Sequence, residues 1–432
     1  MNTYGGSEMT VRSNWLFLSC LLISMAVGAK SRLHLETTLI PPYQVMIDGQ
    51  LKGSAVEVLQ CALLQLPMTH TTNIVPWKRA KNNVRNGRSD GYFSVMRLPE
   101  MEPYARLSAP LMLEKWFWFA FDRKLFQRPG FPSTVRIGVL RGSNQEGWLQ
   151  EHQIPIAQSV NQLSSLLRLL SIRRIDTLLV DRQVMLQALE QRMGLEQPLA
   201  RQFERYASLG VYFSNHFLQQ TPGFIHHFND AISHCNVSNL RLNQEEDVAL
   251  RQLSQQDSAR LLSASDVLAR VREANAQHGE WTQQDIQRLD GEWQRVITAQ
   301  QPLPAWMEEV LHNALSQHLK SWLDAQDDRY TEAFIADAQG LLVASAQITS
   351  DYWQGDEEKF TQIFALASKP QNSQRSISWI DSAGGETGAI RFDDSSHRFL
   401  THISYPLWQP GITTPVGVLT LGINIEQVLR QK

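Results

Sequence analysis

The sequence predicts an α/β fold for its first half, a helical middle and an α+β final quarter, on three observations. Residues 33–240 alternate short β-branched or aromatic runs with segments of helical period, the pattern of mainly parallel strands joined by helices. From Asn243 to about Thr298, Gln, Glu, Arg, Ala and Leu dominate and strand formers are few, which reads as helices bridging two units. Residues 330–432 carry short strands separated by hairpin turns. A chain of 432 residues exceeds what one hydrophobic core normally organises, so two or three domains are expected.

The elements follow in order. Arg12, the apolar run Trp15 to Val27, and then Gly28 and Ala29 have the three parts of a secretory signal over residues 1–29, with Met9 as an alternative start. The run is short for a membrane span of ~20 residues, and Cys20 within it lacks a usable lipobox. No later stretch reaches spanning length, so the expectation is an exported, soluble chain. Leu33 to Leu39 is a first strand, followed by the loop Pro41, Pro42, Tyr43. Ser54 can cap a helix over Ala55 to Leu66, with Val56, Leu59, Leu63 and Leu66 on one face. Pro76 and Trp77 open a second helix that ends near Gly87. Asp90 to Val95 is a strand, and Trp116 and Trp118 alternate along another that fits a half-buried strand.

A second unit begins at Val135 to Leu140 and turns at Arg141, Gly142, Ser143 and Asn144 into a helix. The helix Ser164 to Ile172, the strand Ile175 to Val180, a helix from Gln183 and a strand through Leu209 to Phe213 complete it. Pro302 and Pro304 precede one helix, Ala305 to about Ala325, with an apolar face from Met307 to Trp322. The strands expected beyond it are Ala333 to Asp337, Leu341 to Ala346, Ser376 to Asp381, Gly388 to Phe392, Phe399 to Pro406 and Val416 to Ile423. A closing helix starts near Ile425.

Composition narrows the function. A net charge of -3, with 43% hydrophobic and 19% charged residues, shows no basic excess of the kind that binds nucleic acid. There is no His-Glu-x-x-His, Gly-x-Ser-x-Gly, phosphate-loop or dinucleotide pattern, so neither an enzyme nor a cofactor is expected. Adjacent His226 and His227 on a helix point apart, which argues against a shared metal. Signal cleavage would leave Cys61 and Cys235; export permits a disulfide, while two separate buried thiols is the reading favoured here.

The run Pro99, Glu100, Met101, Glu102, Pro103, Tyr104, Ala105, Arg106, Leu107, Ser108, Ala109, Pro110 resembles the Thr-Pro-Glu-Arg and Phe-Ser-x-Pro stretches of periplasmic type II solute-binding proteins that serve polar amino-acid importers. The resemblance covers nearly half of the chain, about residues 30–242, and implies a two-lobed fold with the ligand gripped between the lobes. It implies an aromatic from the first lobe (Tyr43 and Trp77), a helix N-terminus from the second (Gly142, Ser143, Asn144) and an acid that receives an amine (Asp181). Leu98 stands in place of the family's threonine and Met101 in place of the arginine that pairs with a ligand carboxylate, a contact that a thioether cannot make. Arg97 is the nearest cation that could substitute.

Residues 304–432, joined by the helical linker 243–303, resemble the extracellular PAS-like sensor domain called Cache or PDC. The resemblance rests on Phe334 to Gly340, on Thr349 to Phe360 and on Pro415 to Leu419. Asp351, Tyr352, Trp353, Asp356 and Glu357 combine aromatic faces and carboxylates, the ingredients of a cation pocket, or else the acidic start of a helix. Some lytic transglycosylases carry the same binding module, but with a helical catalytic domain around a Glu-Ser pair that residues 330–432 lack. Together the resemblances imply a periplasmic, non-catalytic sensor that binds a small molecule and relays binding to a membrane-bound kinase or cyclic-nucleotide enzyme. The alternative is a solute receptor delivering a polar molecule to an importer permease; a third reading keeps the fold only as an interaction surface.

Overall fold

The computed structural model describes residues 1, 3, 5, 32–190, 198–235, 240–263, 266–367, 386–393, 398–409 and 414–430. Apart from residues 1, 3 and 5, the leader expected through Ala29 lies outside the described residues, as does the strand expected over Ser376 to Asp381.

The first unit begins with β1 (Arg32–Thr37), the hairpin β2 (Val45–Ile47) and β3 (Gln50–Lys52), α1 (Ser54–Leu64), β4 (Thr69–Ile74), α2 (Trp77–Arg85), β5 (Gly91–Val95) and β6 (Ala105–Leu107). The long strand β7 (Met112–Ala120) leads into β8 (Ile137–Leu140), α3 (Asn144–Glu151), β9 (Ile156–Val160), α4 (Leu163–Ser171), β10 (Thr177–Asp181) and α5 (Arg182–Glu190). A fifteen-residue strand, β11 (Ala200–Ser214), returns the chain to α6 (Asn215–Gln220) and α7 (Phe224–Cys235). The strand order is β4-β1-β5-β11-β7-β10-β8-β9, with β6 beside β11. Parallel β4-β1-β5 belongs to one lobe and parallel β10-β8-β9 to the other, while antiparallel β7 and β11 run through both. This is the two-lobed α/β arrangement expected.

Three local expectations are corrected. Ser54 is the first helical residue of α1; Gly53 precedes it at φ 120°, because a Cβ there would strike the Pro42 and Tyr43 carbonyls. Cys61 and Cys235 are not separate thiols but a disulfide joining α1 to α7. The strand holding Trp116 and Trp118 is buried on both faces rather than one. Trp116 and Trp118 pack with α3 and the first lobe, whereas Phe117 and Phe119 enter a core continuous with the C-terminal sheet.

The rest of the chain forms α8 (Gln244–Ser263), α9 (Val267–His278), α10 (Gln283–Thr298), α11 (Ala305–His312), α12 (Ala314–Asp324), β12 (Tyr330–Asp337), β13 (Leu342–Ser345), α13 (Glu358–Ala367), β14 (Glu386–Thr387), β15 (Arg391–Asp393), β16 (Arg398–Leu407), β17 (Gly417–Asn424) and α14 (Ile425–Arg430). The sheet order is β13-β12-β17-β16-β14, with β15 on β16, all antiparallel. The single helix expected from Ala305 breaks at Asn313. Its side chain caps Ser316 N and donates to the carbonyls of Val310 and Val343, which stabilises the bend. The stretch 243–303 packs along the C-terminal sheet: Ser254 hydrogen-bonds Tyr405, His278 bonds Asp337, and the Trp293 ring stacks on Tyr352.

At the turn after β12, Gly340 sits at φ 86°, and a Cβ there would lie 2.4 Å from the Cα of Gly355. Gly340→Ala is therefore expected to destabilise the C-terminal unit by roughly 1–3 kcal/mol, read as a lowered urea midpoint; an unchanged midpoint would contradict the close approach.

Candidate functional site

The lobes meet at the ends of β1, β8 and β10. Tyr43, on the loop after β1, donates its hydroxyl to Asp181 Oδ1 at 2.6 Å, so one hydrogen bond closes the cleft across the two lobes. Asp181 ends β10, and the same oxygen accepts the amides of Gln183 and Val184, capping α5. Its other oxygen accepts Lys115 N at 2.8 Å. Both oxygens are thus engaged by the protein, and the side chain is 2% exposed.

Beside it lies a residue that the sequence reading missed. Glu114 on β7 is 2% exposed and accepts from Trp116 Nε1 at 2.7 Å, Gln145 Nε2 at 3.3 Å and Asn144 Nδ2 at 3.4 Å. Burial, and then the charge of Asp181, push its carboxyl up to about 8; burial also raises Asp181. Burial foremost, and then the two acids, raise Tyr43. The available signal was a carboxylate inside the apolar run Leu111 to Ala120, which a strand buried on both faces accepts only if it is hydrogen-bonded.

The helix N-terminus is brought to the same place, with its Gly142 and Glu146 amides already engaged. Gly142 N donates to Glu146 Oε2 at 2.6 Å, Ser143 Oγ caps Glu146 N, and Ser159 Oγ donates to Glu146 Oε1. The α3 N-terminus, where an anion would be favoured, is covered by a carboxylate of its own first turn. Trp77 is half-buried, edge-on to Tyr92, and close to the Gly142 turn across the lobes. Gln44, fully buried next to Tyr43, donates to Ser94, and its Oε1 has no hydrogen-bond partner.

The cleft therefore unites Tyr43, Trp77, Gly142, Ser143, Asn144 and Asp181, to which Glu114 and Gln145 are added. Arg97 is elsewhere: it is 59% exposed and pairs with Glu102 at 2.8 Å. Met101 packs in an apolar cluster with Ala80, Val84, Tyr92 and Tyr212.

The C-terminal candidates form a strap rather than an open pocket. Tyr352 is buried between Trp293 and Trp306. The amides of Tyr352 and Trp353 donate to Asp290 on α10, and Trp353 Nε1 donates to Gln339 O. Asp351 accepts from Gln294 and Ser350. Asp356 is exposed, just before α13.

The second lobe is joined to the C-terminal unit. Lys115 pairs with Glu246 at the start of α8, Tyr206 N donates to Glu426, and Arg430 Nε donates to Glu204 O. The rings of Tyr206 and Phe399 lie 5.5 Å apart.

No family model matches the chain, and no curated protein matches it significantly. Among solved structures, it is similar to a histidine kinase sensor domain described as similar to periplasmic binding proteins (15% identity over 48% of this chain and 90% of that one, TM-score 0.39). It is also similar to AbpA, an amino-acid ABC transporter substrate-binding protein from Streptococcus pneumoniae bound to L-arginine (18%, 47% and 88%, TM-score 0.38). A third is an ABC uptake transporter substrate-binding protein from the same organism with bound histidine (15%, 47% and 86%, TM-score 0.39).

Proposed function

We propose that this chain is an exported, non-catalytic relay protein whose interlobe cleft takes a small molecule and whose C-terminal unit passes the cleft's state to a membrane signalling protein. The carrying observation is the run Tyr43–Asp181–Lys115–Glu246, which joins the cleft latch to the first turn of α8. Opening the latch frees a carboxylate that also holds the backbone of Lys115, and the Lys115 side chain holds α8. The Cys61–Cys235 disulfide favours an oxidising compartment. The antiparallel strand order second-first-sixth-fifth-third in the C-terminal sheet, with the fourth strand also on the fifth, supports the resemblance to PAS-like sensors.

Two buried acids, an unpartnered amide oxygen and the absence of Arg97 from the cleft favour a ligand that donates hydrogen bonds or carries an amine, without a carboxylate of its own. Thermal shift against polyamines, amino acids, carboxylates and nucleosides tests this; a ligand at a hundred times its dissociation constant adds ~2.7 kcal/mol. Stabilisation by amines, lost in Asp181→Asn, is the expected result; tight binding of ordinary α-amino acids overturns it. Recovery of the chain from membranes with importer permeases alone would contradict the relay. Tyr43→Phe removes one hydrogen bond, about 1 kcal/mol, and leaves Asp181 its three amide partners; the unliganded protein is expected to open, with a larger radius of gyration in small-angle scattering.

A further inference from the structure

A cavity of about 1420 Å³ lies between the first lobe and the C-terminal sheet, walled by Arg106, Leu107, Tyr212 and Asn229 on one side and by Glu358 and Arg391 on the other. It exceeds the 300–1,000 Å³ usual for small-molecule sites. Along one wall runs β6, whose register is set by Asn215 N donating to Tyr104 O and Ser108 N donating to Val211 O. In that antiparallel register Arg106 exchanges its backbone bonds with Phe213, so the N–H and C=O groups of Ala105 and Leu107 point away from β11. Among the described residues no strand pairs with this edge, and an unpaired edge is a template for another chain.

The charge of the walls selects what would add there. Arg106 and Arg391 are both exposed, and neither has an ion-pair or hydrogen-bond partner for its guanidinium among the described residues. The two acids of the cavity are engaged: Glu102 by Arg97, and Glu358 by Gln362 Nε2 at 2.6 Å. We propose that this cavity receives an extended acidic peptide segment of a partner protein, which adds as a strand to the β6 edge and pairs its carboxylates with Arg106 and Arg391. The inference rests on the relay reading for the identity of the partner, but not for the site itself.

Random twelve-residue peptides displayed on phage are selected on the immobilised full chain, and an enriched peptide is then titrated by fluorescence anisotropy. Acidic residues at alternate positions are expected. Arg106→Glu and Arg391→Glu should each weaken binding tenfold or more, N-methylation of the peptide backbone should abolish it, and circular dichroism of both variants should match the parent. Selection of basic peptides, or of none, overturns the proposal, as does charge reversal that leaves affinity within twofold. Citrate or inorganic phosphate binding with the same dependence on both arginines, and displacing the peptide, would instead make this a small-anion site. The assay uses no cleft ligand, so an unresponsive ligand panel in the cleft leaves the peptide result standing.

Discussion

Replacing Glu114 with Gln is expected to raise the melting temperature at pH 8 by roughly 5 °C or more while changing it little at pH 5. Glu114 is held protonated by burial and by the neighbouring Asp181, up to about 8. In the unfolded chain it titrates in the ordinary glutamate range. Between those two values the folded state carries the extra proton, so stability is complete below the ordinary range and falls as pH rises through it towards 8. Gln mimics the protonated acid, still accepts from Trp116 Nε1, and has no proton to lose, so its melting curve loses that part of the slope. Asp181 is raised by the same cause and leaves a residual slope in the variant. Parallel melting curves for parent and variant across pH 5–8 would show that Glu114 ionises freely in the fold.

The second large effect belongs to the disulfide. Cys61 and Cys235 are 174 residues apart in sequence, so the bond closes a loop around most of both lobes and restricts the unfolded ensemble strongly. Cys61→Ser with Cys235→Ser is expected to cost about 3–5 kcal/mol and to lower the transition of the two-lobed unit by roughly 10 °C. A reductant should reproduce the shift in the parent and leave the double variant unmoved. If the parent melts identically with and without reductant, the cross-link does not stabilise the fold.

Much of the fold was legible because periodicity is local. The first strand, the helix α4 and the strand ending at Asp181 fall within one or two residues of expectation, since each is written in a few consecutive side chains. The break at Asn313 was not legible, because the apolar spacing from Met307 to Trp322 continues across it and its cause is a carbonyl of β13, distant in sequence. The cleft divides in the same way. Tyr43 and Asp181 could be placed by resemblance to a family whose motif is linear. Glu114 could not, because its significance comes from the two amides of α3 and from Asp181, all brought to it by the fold. Glu146 carries no sequence signal for the opposite reason: an acid in a helix's first turn is ordinary, and the fold turns this carboxylate back on the Gly142 amide. The Tyr352 strap carries aromatic and acidic residues that suggest a pocket, yet these side chains fasten α10 to the sheet.

Among the described residues the second lobe is fastened to the C-terminal unit by Lys115, Tyr206 and Arg430, so parting of the lobes would swing the first lobe against both. Tyr43 of that lobe borders the cleft, Arg106 lines the cavity that Arg391 also lines, and the pair β7 and β11 runs through both lobes. A swing of the first lobe that opens the cleft would move Arg106 relative to Arg391 and so change the width of the cavity between them. A ligand in the cleft and a partner in the cavity would then be coupled, each changing the other's affinity by the same factor.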